Sequence, residues 1–233
     1  MYVMPKSRSR KRIALGLALV SLMAFSVIVA EAAKEKVTIT ALDKVTVDLD
    51  ADVTVFEGNV KISYSDVEIM AERAEVKERK IATLLGNVKL IQPGIVITGE
   101  IFTAYINEKK VVVEGDVILT KEETRAEEVS DSSEETDTVI VMCDKMELST
   151  QTRGFTAEGN VRVRRDLSYA VADHATYVES EKVVVLEGNV SAESKNGENM
   201  KCGKLIFRTD RDYMEAESEV VFEFEVDEDV DSQ

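Results

Sequence analysis

The chain has 233 residues and a formal net charge of −16; 44% of its residues are hydrophobic and 32% are charged. This is the composition of a globular protein, and it excludes a collagen, a disulfide scaffold and a polytopic membrane protein. The negative charge also argues against a nucleic-acid partner, because no basic patch or aromatic RNA motif offsets it.

The N-terminus has the features of an export signal. A basic segment at residues 6–12 precedes an apolar run at residues 13–30, and small side chains follow at the spacing of a cleavage site. We therefore expect residues 1–32 to be a signal peptide and the mature chain to begin near Ala33, in the periplasm. The apolar run is just long enough to span a bilayer, so an uncleaved inner-membrane anchor is the alternative.

An internal repeat of about 29 residues occupies the rest of the chain. The long interval between two of its copies contains residues 121–138, an acidic and almost wholly polar stretch typical of a solvated loop. Residues 227–233 form a second acidic segment, which we interpret as a tail. The copies read Glu-Gly-Asn-Val or a close variant, and their centres at Gly58, Gly86, Gly115, Gly159, Gly188 and Ser218 lie 28, 29, 44, 29 and 30 residues apart.

Apolar residues alternate within each copy, which predicts a β-strand with one apolar face. The glycines share the apolar parity and either allow sharp curvature or leave room for a ligand near the backbone. A second strand in each unit has a small-acidic-x-small pattern, after which the apolar parity shifts by one residue; this shift predicts a bulge or bend. The opposite face of the first strands carries a polar column that we expect to face solvent: Asn59, Asn87, Asp116, Asn160, Asn189 and Glu219.

The residues with reactive side chains favour structural roles. Cys143 and Cys202 occupy the same position two repeats apart, about 19 Å by strand spacing. A disulfide needs Cα atoms within about 7 Å, so we expect two free, buried thiols. We expect His174 on the surface. No nucleophile–base constellation, metal-ligand spacing or phosphate loop is visible, so we expect neither an enzyme nor a cofactor or metal.

The Glu-Gly-Asn-Val repeats and the small-acidic-x-small strands, between residues 37 and 224, resemble the OstA-like family of lipopolysaccharide-transport proteins. The family includes LptA, the N-terminal domain of LptD and, more distantly, LptC. The resemblance implies an all-β fold, a repeat-built β-jellyroll or β-taco of consecutive antiparallel strands, with an apolar groove for the acyl chains of lipopolysaccharide or a similar glycolipid. It also implies partners that join the ends of this chain's sheet. These partners are LptC-like and LptD-like jellyroll domains, or further copies of this chain arranged head to tail.

The repeats divide at the insertion into a first half at residues 33–120 and a second half at residues 139–226. We expect one set of apolar side chains to form the lipid-binding groove, with ordinary core packing as the alternative for each of them. The set comprises Phe56, Val60, Ile62, Ile69, Leu84, Val88, Ile97, Phe102, Val117, Met146, Val161, Val190, Phe207 and Phe222.

The function we expect is that of an LptA-like bridge that carries lipopolysaccharide from the inner to the outer membrane. One alternative is an inner-membrane-anchored, LptC-like component, which differs mainly in whether the signal is cleaved. The other is a structural β-repeat scaffold of the envelope, which would have a tightly filled interior. An envelope enzyme such as a lipid A hydrolase would need clustered polar residues inside the groove, and the sequence shows none.

Overall fold

A computed structural model describes most of the repeat region. The predicted signal peptide, the middle of the predicted insertion and the predicted acidic tail lie outside the described residues. Those residues are 37–64, 66–124, 136–149, 151–165, 168–194, 197–208 and 213–224.

The described residues form fourteen β-strands, and within them there is no helix long and apolar enough to cross a membrane. The strands are β1 (Thr38–Thr40), β2 (Lys44–Asp48), β3 (Val53–Tyr64), β4 (Val67–Lys77), β5 (Ile81–Gln92), β6 (Ile95–Tyr105), β7 (Lys110–Thr124), β8 (Thr136–Ser149), β9 (Gly154–Arg165), β10 (Ser168–Val178), β11 (Val183–Glu193), β12 (Asn199–Arg208), β13 (Tyr213–Glu217) and β14 (Val221–Glu223).

Neighbours in the chain are neighbours in the sheet. Strands β3 to β13 pair in sequence order, and every pair is antiparallel. At one end β1 and β2 both pair with β3, and at the other end β13 and β14 both pair with β12, so each end of the sheet is a strand broken in two. The predicted all-β fold of consecutive antiparallel strands is confirmed.

The long strands bend at one level of the sheet. In β3, Gly58 and Asn59 have φ angles of 81° and 43°, and the pairing register with β4 jumps between Glu57 and Val60. An extra residue in the left-handed region makes a bulge, which bends its strand. The other strand pairs between β4 and β12 jump register at the equivalent place. The bend predicted from the parity shift is therefore confirmed, and it favours curvature as the role of the glycines.

The bends fold the single sheet over on itself. In β9 buried and exposed residues alternate along both arms of the strand, with Phe155 and Ala157 buried before the bend and Val161 and Val163 buried after it. The described residues supply no second layer to cover this face, so the two arms bury each other. Removing apolar surface from water, at about 25 cal/mol per Å², stabilises this arrangement.

The boundaries predicted for the insertion loop, 121–138, are too wide. β7 continues to Thr124 and β8 begins at Thr136, and these two residues are paired. Strand pairing prevails over composition here, since β7 and β8 continue to pair with each other past the ends of β6 and β9. The two sets of repeats are joined in one continuous sheet, since β7 pairs with β8 along the length of both strands.

Candidate functional site

The folded sheet encloses a trough with a spine and two lips. The spine is the line of bends. Lip A is formed by the strand ends that include Gln92, Lys121 and Arg165, and lip B by the opposite strand ends, which include Phe155 and Tyr177. The trough interior is the space between the two arms, bounded by spine and lips.

The spine is built from a repeated arrangement of an acid, a glycine and an asparagine. The Asn87 amide donates a hydrogen bond to Glu72 Oε1 at 2.8 Å. A Cβ added at Gly86 would lie 2.5 Å from Glu72 Oε2, so the carboxylate fills the space that the missing side chain leaves. Because Glu72 is exposed, this glycine points outward, and the prediction that the glycines lie on the apolar face is wrong. The same hydrogen bond joins Asn160 to Asp144 and Asn189 to Asp173.

The outer face near the spine is charged and solvent-exposed. The predicted polar column is exposed throughout, as expected. The glutamate of the repeat forms ion pairs with the neighbouring strand, for example Lys145 Nζ to Glu114 Oε1 at 3.4 Å, and such exposed pairs contribute less than about 1 kcal/mol. His174 is exposed and lies in register with Glu158 and Glu187, so its predicted surface position is confirmed.

Thirteen of the fourteen predicted groove residues belong to, or pack against, one interior cluster. Ten of them are buried. Phe56, Ile62 and Ile69 are partly buried, and Phe222 is 39% exposed at the last strand. Their contact with a lipid stays a prediction. The interior also holds residues outside the predicted set of groove residues, although the same alternation marks them: Val113, Leu119, Val139, Val141, Leu148, Phe155, Ala170, Tyr177, Leu186 and Leu205.

The trough is closed in its middle and open at both ends. Val117 and Met146, on the central strands, are fully buried. At the first end Val45 pairs with the inward-facing Phe56, yet it is 52% exposed. At the last end Phe222 pairs with the buried Met200 and is itself 39% exposed. Apolar surface of the interior is therefore left uncovered at each end of the sheet.

The inner row of lip A carries polar side chains beside the buried Ile95 and Val139, and the sequence analysis did not predict them. Gln92, Arg165, Ser168 and Ser194 are all buried. The signal was available, because Arg165 continues the inward parity of Phe155, Ala157, Val161 and Val163 on β9.

Both cysteines are free and buried, as predicted. Burial, with the neighbouring Asp144 carboxylate adding to it, raises the pKa of the Cys143 thiol from 9.0 to about 12. Burial also raises the pKa of the Cys202 thiol. In the part of the chain that the structure describes, no group of three or more histidine, cysteine, aspartate or glutamate residues is placed to hold a metal ion.

The fold and the site together define a repeat-built β-jellyroll with an apolar trough. A family model described as LptA/(LptD N-terminal domain) LPS transport protein matches residues 68–213. The chain belongs to this family, which confirms the resemblance seen in the repeats.

No curated protein matches the chain. Among solved structures it is similar to LptH from Pseudomonas aeruginosa, described as the LptA-homologous periplasmic component of the lipopolysaccharide transport device. The sequence identity is 10% and the TM-score is 0.23, over 82% of this chain and 96% of LptH. At so low a TM-score the likeness carries no weight, and the family assignment rests on the family model.

Proposed function

We propose that this protein is a periplasmic bridge that shields the acyl chains of lipopolysaccharide, or a similar glycolipid, during transport from the inner to the outer membrane. The observation that carries the proposal is the apolar trough, which runs through the sheet and remains exposed at both ends. Membership of a lipopolysaccharide-transport family supports the same function.

The energetics favour acyl chains as the part of the lipid that is held. Each methylene group moved from water into an apolar interior contributes about 0.8 kcal/mol. Several acyl chains therefore outweigh the repulsion between an anionic glycolipid and a chain of net charge −16, a repulsion that salt also screens. Because the middle of the trough is closed, entry of acyl chains requires the two lips to separate there.

The two open ends of the sheet offer surfaces on which further jellyroll domains can dock. β14 and the broken strand formed by β1 and β2 are edge strands, and edge strands are natural sites for strand addition. LptC-like and LptD-like jellyroll domains are the partners we propose at the two ends, with further copies of this chain, head to tail, between them. Docking in this way would cover Val45 at one end and Phe222 at the other.

A structural scaffold of the envelope is the second candidate function. It is favoured by the buried residues of the central trough, such as Ile97 and Leu119, which pack as in an ordinary core. A scaffold and a carrier differ in whether this core opens for a lipid.

Binding measurements with matched ligands separate the two functions. We expect the purified protein to bind intact lipopolysaccharide with a negative heat-capacity change, the mark of buried apolar surface. Lipopolysaccharide with its acyl chains removed is the control, since it keeps the sugars and phosphates. We expect no binding of this control. Equal binding of both ligands, or binding of neither, would contradict the carrier function.

A further inference from the structure

The two lips of the trough differ in chemistry. Across the middle of the sheet, the inner row of lip B is apolar and aromatic: Leu148, Phe155 and Tyr177 are buried there, and the two aromatic rings lie 6.0 Å apart. The inner row of lip A is interrupted by polar side chains. The trough is therefore amphipathic from one lip to the other.

The polar side chains of lip A lie in one cross-strand row. Lys121 pairs with Val139, Val139 pairs with Arg165, and Arg165 pairs with Ser168. Residues directly opposite each other in antiparallel strands share a face, so the row faces the same way as the fully buried Val139. Farther along this lip, the Ser194 hydroxyl donates a hydrogen bond to Glu198 at 3.1 Å.

The charge of this row is opposite to that of the molecule. The chain has a net charge of −16, yet the row directs a lysine and an arginine inward. Arg165 is only 8% exposed. The planar set of N–H donors on its guanidinium suits the oxygens of a phosphate or carboxylate.

The spacing of the row suits a phosphate group. Two strand spacings place the Cα atoms of Lys121 and Arg165 about 10 Å apart. Lysine and arginine are both long side chains, which can approach one anion from either side, and the Ser168 hydroxyl on the next strand adds a further donor. Acyl chains would then lie against the apolar inner faces and lip B.

We propose that the Lys121–Arg165–Ser168 row of lip A is a binding site for the phosphate group of an anionic glycolipid. The site fixes the orientation of the lipid in the trough, with the phosphate at lip A and the acyl chains toward lip B. This inference rests on the proposed carrier function and adds to it the class of headgroup and the direction in which the lipid lies.

The test compares lipopolysaccharide with the same lipid after its phosphates have been removed. We expect the wild-type protein to bind the phosphorylated lipid about tenfold or more tightly, the size of effect that charge-assisted hydrogen bonds produce. The double variant Lys121→Met/Arg165→Met keeps long apolar side chains and should bind both lipids equally. The double variant Lys89→Met/Arg164→Met removes the same charge from exposed, outward-facing positions and should keep the wild-type preference.

Different results would overturn the phosphate site and the carrier function. Equal binding of the two lipids by the wild-type protein, or an unchanged preference in Lys121→Met/Arg165→Met, would overturn the phosphate site and leave the carrier function standing. Failure of the wild-type protein to bind either lipid would overturn the carrier function itself. If the double variant does not fold, Lys121→Met alone, at a half-buried position, should reduce the preference, and an unchanged preference there would overturn the site.

A third arm separates a lipid headgroup from free phosphate as the natural ligand. Inorganic phosphate at millimolar concentration is added to the wild-type protein before the phosphorylated lipid. We expect the preference to persist, since the acyl chains hold the headgroup at the site. Abolition of the preference would overturn the assignment to a lipid headgroup in favour of free phosphate.

Discussion

At the scale of single residues, the repeat Glu-Gly-Asn-Val has a physical reason at each position. In the copy at residues 186–192, Glu187 faces Lys204 on the outer surface, with 3.9 Å between Oε1 and Nζ. Gly188 and Asn189 have positive φ angles of 79° and 47°, which bends the strand. Val190 returns to the interior. The motif is therefore a corner of the sheet and requires no ligand to explain it.

Alanine substitutions at two glycines with the same φ angle test whether the repeat motif is a packed corner of the sheet. Gly86 and Gly197 both have a φ angle of 80°, but a Cβ at Gly86 would meet Glu72, whereas a Cβ at Gly197 would meet nothing within 4 Å. Both alanine substitutions impose left-handed strain of about 1 kcal/mol. We expect Gly86→Ala to lower the free energy of unfolding in urea by clearly more than Gly197→Ala. Equal losses would mean that the contact with Glu72 does not matter.

At the corner next to β13, the small residue and the larger residue of the repeated acid–glycine contact have changed places. Gly203 occupies the place of the acid, and Ser218, with a φ angle of 66°, that of the glycine. A Cβ at Gly203 would lie 2.8 Å from the Ser218 Cβ. We expect Gly203→Ala to destabilise the protein by about 1–3 kcal/mol through overpacking, and Ser218→Gly to recover most of this loss in the double variant. Strict additivity of the two substitutions would refute the exchange.

The Cys143 thiol predicts a pH dependence of stability. Its pKa is about 12 in the folded protein and near 9.0 without burial, so above pH 9 the unfolded chain loses a proton that the folded chain keeps. Stability therefore falls as the pH rises from about 9 to about 12, by at most about 1.4 kcal/mol per pH unit.

Cys143→Ala removes this contribution, and alanine is the natural residue at the same repeat position in Ala71 and Ala172. Urea unfolding at about pH 8.5 and pH 10.5 should show a smaller loss of stability in the variant than in the wild-type protein. Parallel losses would contradict a buried, protonated thiol.

At the scale of elements, alternation was enough to predict the strands and their bends, because one buried face imposes a period of two. It failed where the β7–β8 hairpin extends beyond its neighbours. Residues 122–124 and 136–138 continue the pairing of β7 with β8 past the ends of β6 and β9, and the acidic composition of the predicted insertion resembles a loop. The sixth repeat, residues 216–222, was predicted as one strand but is broken between Glu217 and Val221, where Ser218 and Glu219 have positive φ angles of 66° and 54°.

The exposed apolar edge at β14 predicts association. The rings of Phe222 and Phe224 lie 5.6 Å apart and are 39% and 54% exposed. If copies join end to end, the average mass in sedimentation should rise with concentration, and Phe222→Asp/Phe224→Asp should abolish the rise. Ile118→Asp is the control, since Ile118 is an exposed apolar residue far from either end. An equal effect of the control, or none of the edge variant, would exclude this surface as the joint.

At the scale of the whole molecule, one sheet serves as its own second layer. Parity placed Val88, Ile97 and Val117 inside correctly, because residues of one parity share a face along each regular arm of a strand. Parity could not predict that the middle of the trough is closed, since closure depends on how side chains from distant strands meet. Nor did the sequence analysis draw attention to Arg165, although this residue continues the inward parity of β9.

The central claim is that acyl chains occupy the trough, and photocrosslinking tests it most directly. A photoreactive residue is placed at Val88 or Ile97, which face the interior, and at Asn87, which is exposed on the outer side of the spine. After incubation with lipopolysaccharide and illumination, we predict lipid adducts from the two interior positions and none from Asn87. Adducts from Asn87 alone, or from none of the three positions, would contradict a lipid-carrying trough.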